Sequence, residues 1–241
     1  MGRIEGYTEQ IKEAVKVGRL SDQKLSEIEE IILRERMGGS KSIKVLKGEE
    51  NYRRADEKIS EWIENGEPLS VDKIVEINGI LNKGINPNGG RLRKEGEEVQ
   101  SGEIAILRYL TGKDVQPAMN DFVRWYSKAE KTLPPVELAA QAGQRLVSIH
   151  PFADGNGRTT ALLVNWVLQK QGLPQSILTG DDMAIAVFGG RKILGIEDDS
   201  VSASHAVEAV TRGIHRTVDI YQTEGGIELR KEVPECVGAG C

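Results

Sequence analysis

Apolar residues recur mainly at intervals of three and four along this chain of 241 residues, which is the spacing of an amphipathic α-helix. The pattern predicts helices over 8–17, 21–37, 49–64, 71–83, 118–129, 136–149, 159–171 and 202–221. Turn-forming residues separate these segments: Gly38 and Gly39 follow the second, Asn65-Gly66 follows the third, and Ser70 caps the fourth. A succession of helices without regular strand patterns predicts an all-α fold.

One segment, 84–117, departs from helical spacing. Glycine, asparagine and proline are dense up to Gly90, and charged residues follow. Residues 103–110, EIAILRYL, are apolar enough to pair as a short strand with residues near Val99. We therefore predict a loop with a small β-hairpin, and an irregular segment of this length in a compact domain is commonly functional or mobile.

Composition narrows the classes of function. The net charge of −5 and the pI of about 5.5 argue against a basic surface that tracks nucleic acid. The sequence contains no apolar run long enough for a membrane span, and its N-terminus lacks the apolar core of a Sec signal peptide. Two cysteines are too few for a disulfide framework. We expect a cytoplasmic protein, or an effector that reaches a host cytosol by a route without such a signal.

The residues that carry chemistry lie together in 150–158, HPFADGNGR, between two predicted helices. The second half of this segment leads into a helix N-terminus, where unpaired amide N–H groups and the positive end of the helix dipole attract anions. Gly155 and Gly157 permit backbone conformations and close approaches that a Cβ would block. The segment is therefore suited to hold phosphate oxygens.

Four side chains of the same segment complete a site for phosphate chemistry. Arg158 and Asn156 can bind phosphate oxygens, and Asp154 is a hard oxygen ligand for one Mg²⁺ held mostly by phosphates and water. His150 is a base whose ordinary pKa lies near neutrality, so it can take the proton from an attacking hydroxyl. A buried histidine that merely ends a helix would explain His150 alone. It does not explain a histidine, an aspartate, an asparagine, two glycines and an arginine within one short loop.

The segment resembles the Fic motif H-P-F-x-D-G-N-G-R-x-x-R, and its first nine positions match. The resemblance extends to PVELAAQAGQRLVSIH before the motif, LLVNWVLQKQGLP after it, and GGRLR and LSVDKIVEINGIL upstream, so it covers about residues 50–220. It implies the Fic fold, an all-α helical bundle with a small β-hairpin flap. It also implies transfer of AMP from ATP, with Mg²⁺, to a Ser, Thr or Tyr hydroxyl of a target protein.

The resemblance assigns roles to residues of this chain. His150 would be the base, Asp154 the Mg²⁺ ligand, and Gly155, Asn156, Gly157 and Arg158 the residues that bind the nucleotide phosphates. Val99, Ile104 and Ile106 of the flap would align the target segment by strand addition. The chain would then divide into an N-terminal helical extension at 1–48, a candidate regulatory piece, a Fic domain at 49–225 and a flexible C-terminal tail at 226–241.

One motif position departs from the family pattern, because its twelfth residue is Ala161 instead of Arg. In the family, that Arg typically binds the terminal phosphate of ATP and pairs with an inhibitory Glu. Its loss predicts looser ATP binding, a different donor such as UTP or CDP-choline, or a non-catalytic relative that binds a nucleotide or a partner. Transfer of phosphate itself, as in relatives with a Lys in the loop, is disfavoured by Gly157.

Two segments are candidates for the family's inhibitory pattern [ST]-x-x-x-E-[GN]. Ser60, Glu64 and Asn65 fit it literally, and Glu5 lies in an I-E-G segment that has Met1 at the Ser/Thr position. Because Ala161 offers no cation to an inhibitory Glu, we predict weak or absent self-inhibition by that route.

Overall fold

The computed structural model describes residues 5–36, 43–97, 112–179, 182 and 199–229. These residues form eight helices: α1 (Glu5–Lys16), α2 (Asp22–Arg36), α3 (Ile43–Glu64), α4 (Val71–Asn82), α5 (Gly112–Ala129), α6 (Pro135–Ile149), α7 (Asn156–Lys170) and α8 (Asp199–Gly225). The described ranges contain no strand, and the predicted all-α fold is confirmed. The predicted flap, with Val99, Ile104 and Ile106, lies outside the described residues.

Five helices begin three to six residues earlier than the hydrophobic pattern predicts: α1, α3, α5, α7 and α8. Helix α3 begins at Ile43, and α5 begins at Gly112 with Pro117 inside it. Pro117 lies in the second turn of α5 and has no N–H, so the helix lacks the main-chain hydrogen bond from this position to Lys113 O. Helix α7 begins at Asn156, since Gly155 adopts a left-handed conformation with φ 80° and serves as its N-cap. The first turn of α7 is therefore built from the chemistry-bearing segment itself.

Among the described helices, α6 and α7 make the most extensive contact with each other, and the short loop 150–155 joins them. Their close approach depends on Gly143, where a Cβ would lie 2.7 Å from Val164 Cγ2. Residues 162–168 of α7 are buried all round, as the apolar pattern predicts, because α3, α4 and α6 surround the helix. A rigid helix pair thus carries the loop at one end.

The N-terminal helices pack against this core. Helix α2 contacts α8, and Trp62 of α3 lies against Trp166 of α7 with ring centroids 5.4 Å apart. Arg36, at the end of α2, forms a buried two-pronged ion pair with Asp56 of α3 and donates to Gln175 beyond α7 at 2.6 Å. A buried charge is tolerated only when it is paired and hydrogen-bonded. Because the partners of Arg36 belong to α3 and to the segment after α7, the cluster connects these two parts with α2.

Both predicted domain boundaries, at 48/49 and 225/226, lie in parts of the chain that pack on the core or form a helix. The division at 48/49 lies within α3, and residues 226–229 of the predicted tail pack on the core through Ile227 and Leu229. Residues 230–241 lie outside the described part, so the division remains a prediction. Among the described residues, none of the helices combines the length and apolar character that a bilayer crossing requires.

Candidate active site

His150 ends α6 in a left-handed backbone conformation, with φ 52° and ψ 60°. Its main-chain N–H still donates to Leu146 O, so the residue is the C-cap of the helix. The imidazole Nδ1 lies 3.3 Å from Val147 O. Because a carbonyl oxygen only accepts, this contact assigns the proton to Nδ1 and the lone pair to Nε2. The half-buried ring therefore has the tautomer that a general base at Nε2 requires.

The environment of His150 keeps its imidazole unprotonated. Burial lowers the pKa of His150 from 6.5 to about 4; the bond to the Val147 carbonyl opposes this shift, and the positive charge of Arg93 adds to it. At neutral pH the ring is uncharged and can accept a proton.

Arg93 is bound to the chain on both sides of the helix end. Its Nε donates to His150 O at 2.7 Å, its Nη2 donates to Ile149 O at 3.4 Å, and its main-chain N–H donates to Pro151 O at 2.9 Å. Three consecutive carbonyl groups thus accept hydrogen bonds from one residue. From the sequence, Arg93 of GGRLR is equally consistent with a solvated face and with binding of phosphate or target; it is 4% exposed, so the solvated face is excluded.

Gly155 is the turning point between the loop and α7. A Cβ at this position would lie 2.9 Å from Asn82 Nδ2 and 3.0 Å from Asn78 Nδ2, in a left-handed conformation that side chains disfavour. Its N–H donates to Asp154 Oδ1 at 2.6 Å. Glycine is therefore required here by both space and backbone geometry.

The first turn of α7 presents main-chain donors. The first main-chain hydrogen bond of the helix joins Thr159 N–H to Gly155 O at 2.9 Å, so the N–H groups of Asn156, Gly157 and Arg158 have no partner within the helix. Gly157 is exposed, and a Cβ built on it meets no atom within 4 Å. The helix N-terminus is open to an anion on the side of Gly157.

Asn156 faces inward, toward the loop. Its Oδ1 accepts from Phe152 N–H at 3.0 Å, and its Nδ2 donates to Phe152 O at 2.7 Å. The side chain is buried, as is Phe152. These two hydrogen bonds hold the loop main chain at Phe152 close to the first turn of α7. The predicted contact of Asn156 with phosphate stays a prediction.

The half-exposed side chain of Arg158, in the first turn of α7, contacts the C-terminal end of α4. Its Nη1 donates to Leu81 O at 3.4 Å and its Nη2 donates to Asn82 Oδ1 at 3.2 Å, while Nη2 is 3.8 Å from Asp154 Oδ2. These contacts are long and leave N–H groups of the guanidinium available to a phosphate.

The Asp154 carboxylate is 43% exposed, and its Oδ2 lies 3.3 Å from Asn86 Nδ2. An accessible single carboxylate beside open main-chain donors has the chemistry of a Mg²⁺ site in which phosphates and water supply most ligands. The residues present therefore fit the metal that the resemblance implies.

Three residues of this site have no role in the sequence-based prediction: Asn78, Asn82 and Asn86. Asn78 is fully buried, and its Nδ2 donates to Asp154 O at 2.9 Å and to Thr159 Oγ1 at 3.2 Å. Asn82 is buried as well, one turn further along α4. Two asparagines four positions apart beside the buried stripe of Ile74, Ile77 and Leu81 are the signal that could have identified them.

Of the candidate inhibitory residues, Ser60 lies away from the loop. Ser60 Oγ lies 3.4 Å from Gln169 Oε1, near the C-terminal end of α7, whereas the loop is at its N-terminal end. Thirteen residues of helix separate Gln169 from Asn156, which is roughly 20 Å. Glu64 ends α3 and is followed by Asn65, while Glu5 begins α1, and its side chain is outside the described part. This arrangement gives the Ser60–Glu64–Asn65 hypothesis no support, and both hypotheses stay untested.

Together these features define an all-α protein whose helix hairpin carries a histidine and an open anion-binding helix N-terminus. Comparison with known families agrees: residues 68–168 match the Fic/DOC family. The chain belongs to this family, as the motif predicts.

The relatives have two named activities. The chain is 33% identical over 177 residues to uridine 5'-monophosphate transferase from Xanthomonas campestris pv. campestris, covering 68% of this chain and 33% of that protein. It is 35% identical over 127 residues to protein adenylyltransferase Fic from Nematostella vectensis, covering 51% of this chain and 28% of that protein. The chain thus spans about a third of the length of these relatives.

A solved structure supports the fold. The Fic-domain-containing signalling protein from Bacteroides thetaiotaomicron superposes with a TM-score of 0.70 at 20% identity, over 93% of this chain and 100% of that one. At this identity the likeness concerns the fold alone.

Proposed function

We propose that this chain is a Fic-type nucleotidyltransferase that moves a nucleoside monophosphate from a Mg²⁺-bound nucleoside triphosphate to a Ser, Thr or Tyr hydroxyl of a target protein. The observation that carries the proposal is the sequence of groups along the loop. A neutral imidazole with its proton on Nδ1 precedes a helix N-terminus whose open donors lie beside Gly157. Base and anion site are therefore parts of one loop held by two packed helices.

In this proposal His150 Nε2 accepts the proton of the acceptor hydroxyl as its oxygen attacks the α-phosphorus. The new O–P bond forms, the bond from the α-phosphorus to the bridging oxygen breaks, and pyrophosphate leaves. The N–H groups of Gly157 and Arg158, with the Arg158 guanidinium, bind phosphate oxygens on which negative charge accumulates. Catalysis of phosphoryl-type transfer depends mainly on such positioning and charge neutralisation.

Asp154 is the residue that would hold Mg²⁺ through its exposed carboxylate. The side-chain amide of Asn86 donates to Oδ2 of this carboxylate. The bound ion would neutralise charge on the phosphates. The contribution of the chain itself is to orient this carboxylate, through Gly155 N–H on Oδ1 and Asn78 on the Asp154 carbonyl.

The donor has three candidates: ATP, UTP and CDP-choline. Adenylyltransferase relatives favour ATP. The longer match to a uridine 5'-monophosphate transferase favours UTP, whereas Ala161 offers no charge to the terminal phosphate that ATP and UTP share and so does not separate these two. CDP-choline remains a third donor to test, because a diphosphate-linked group would meet the same helix N-terminus.

A donor screen tests the proposal. The purified chain is incubated with Mg²⁺ and ATP, UTP, GTP, CTP or CDP-choline, alone and with a cell lysate, and modified peptides are identified by mass spectrometry. We expect the mass of one nucleoside monophosphate on a hydroxyl-bearing residue, and its loss in His150→Ala. An added mass of bare phosphate, or undiminished modification by His150→Ala, would contradict the proposal.

The competing possibility is a relative that binds a nucleotide or a partner without turnover. Calorimetric titration of each nucleotide with Mg²⁺ separates the two, because such a relative binds a donor and leaves every acceptor unmodified.

A further inference from the structure

Arg93 is a buried residue whose hydrogen bonds converge on the end of α6. Its Nε and Nη2 donate to His150 O and Ile149 O, and its main-chain N–H donates to Pro151 O. The segment that bears Arg93 lies 57 residues before His150 in the sequence, so only the folded chain brings the two together.

The end of α6 needs such a partner. The last carbonyl groups of a helix lack intrahelical donors and carry the negative end of the helix dipole, where a cation is favourable. His150 also adopts the left-handed conformation, which normally selects glycine because a Cβ is crowded there. Helix propensity alone would not hold a histidine in this conformation.

We propose that Arg93 is a positioning residue for His150: its guanidinium and main-chain N–H bind the carbonyls of residues 149–151 and hold the histidine backbone in the left-handed turn from which the loop begins. The proposal rests on the proposed function only in taking His150 as the base. It concerns the direction of the imidazole and assigns Arg93 no contact with the substrate.

Charge adds to the same effect. Arg93 is the charged group of the described residues that shifts the pKa of His150, and it lowers it. Glu97, on the same segment, forms an ion pair with Arg91 at 2.6 Å and also acts on Arg93. A fixed cation beside the ring disfavours the imidazolium, so Arg93 helps to keep the base unprotonated as well as oriented.

The first test follows the imidazole directly and needs no enzymatic activity. The chain has three histidines, and His205 and His215 are exposed, so NMR titration of labelled imidazole rings can follow His150, assigned with His150→Gln. We expect Arg93→Gln to raise the pKa of His150 by about half a unit or more, and Arg93→Lys, which keeps the charge, to raise it less. Arg124→Gln, at an exposed position of α5, is the control and should leave the His150 titration unchanged.

The second test uses the donor identified in the screen. Both Arg93 variants should lower kcat about tenfold or more with KM for the nucleotide nearly unchanged, because Lys cannot reproduce the fork of Arg. The acid limb of the pH profile should move to higher pH in Arg93→Gln. A raised KM with unchanged kcat would instead assign Arg93 to nucleotide binding and overturn the proposal.

A third measurement covers variants that fail to fold. In the wild-type protein, the Nε–H of Arg93 should exchange with solvent much more slowly than those of exposed arginines, and fast exchange would contradict the hydrogen bonds to the helix end. A folded Arg93→Gln with unchanged titration and unchanged kcat would also overturn the proposal. If the wild type transfers no group from any donor, the proposed function fails. The NMR titration of His150 and the solvent exchange of the Arg93 Nε–H still decide the role of Arg93.

Discussion

The side-chain amide of Asn78 donates to the main-chain carbonyl of Asp154 over 2.9 Å, so helix α4 binds the loop at the residue whose carboxylate faces solvent. The same amide group contacts Thr159 Oγ1, and Asn78 Oδ1 accepts from Gly90 N–H at 3.1 Å. One fully buried side chain therefore connects α4, the loop, α7 and the segment before Arg93.

Replacing Asn78 by Ala should destabilise the fold and reduce activity. The change removes a partner from the buried Thr159 hydroxyl and from the partly buried Asp154 carbonyl and Gly90 N–H, which costs about 1–3 kcal/mol. Urea unfolding monitored by circular dichroism measures this loss, and the transfer assay should show a lower kcat. Asn120→Ala, at an exposed position of α5, is the control and should stay within about 0.5 kcal/mol of wild type. An equally stable Asn78→Ala would mean that the loop does not depend on α4.

Gly155→Ala should disrupt the loop. The new Cβ would lie within about 3 Å of Asn78 and Asn82 in a left-handed conformation, so both the backbone and the two buried amides must shift. We expect a loss on the order of 1–3 kcal/mol in unfolding free energy and little remaining transfer activity. A thermal unfolding midpoint like that of wild type would contradict the packing described for Gly155.

Gly157→Ala separates stability from binding in the same motif. Gly157 is helical, and its Cβ would enter open space, so alanine should leave the unfolding free energy unchanged or raise it by about 0.5–1 kcal/mol. The added methyl group would nevertheless stand where a phosphate approaches the open N–H groups. Calorimetric titration should therefore show weaker nucleotide binding by a protein that is at least as stable, and unchanged affinity would exclude an anion on this side of the helix.

The sequence predicts the helices and the loop because both depend on local patterns. Apolar spacing locates α6 and α7, and HPFADGNGR carries its histidine, aspartate and glycines within one loop. It does not predict Arg93 or Asn78, which reach the loop from 57 and 76 residues away and are recognised only by what they contact. It also misjudges the start of α7, since the first turn depends on the left-handed conformation of Gly155 rather than on apolar residues.

Ala161→Arg tests the donor. Ala161 lies three residues after Arg158, on the neighbouring turn of α7, where a guanidinium could reach the terminal phosphate of a triphosphate. One charge-assisted hydrogen bond contributes about 1.5–3 kcal/mol, so kcat/KM should rise about tenfold or more for ATP and for UTP, which carry the same triphosphate, relative to CDP-choline, which has no terminal phosphate. Ala161→Gln, of similar length without the charge, is the control. If neither the rate with ATP nor the donor ratio changes, the explanation of position 161 is wrong.

His150 should make the free energy of unfolding depend on pH. Its pKa is about 4 in the folded protein and near 6.5 when exposed, so the unfolded chain binds a proton that the folded chain refuses between these values. The free energy of unfolding should be fully retained above pH 6.5 and should fall as the pH drops toward 4, by on the order of 1–3 kcal/mol from this residue. Urea unfolding at several pH values should show a shallower decline for His150→Gln than for wild type, because Gln does not titrate. His215→Gln, at an exposed position, should keep the wild-type slope. Identical slopes for His150→Gln and wild type would mean that the ring is solvated in the folded protein, and a solvated ring would be protonated in a substantial fraction of molecules near pH 6.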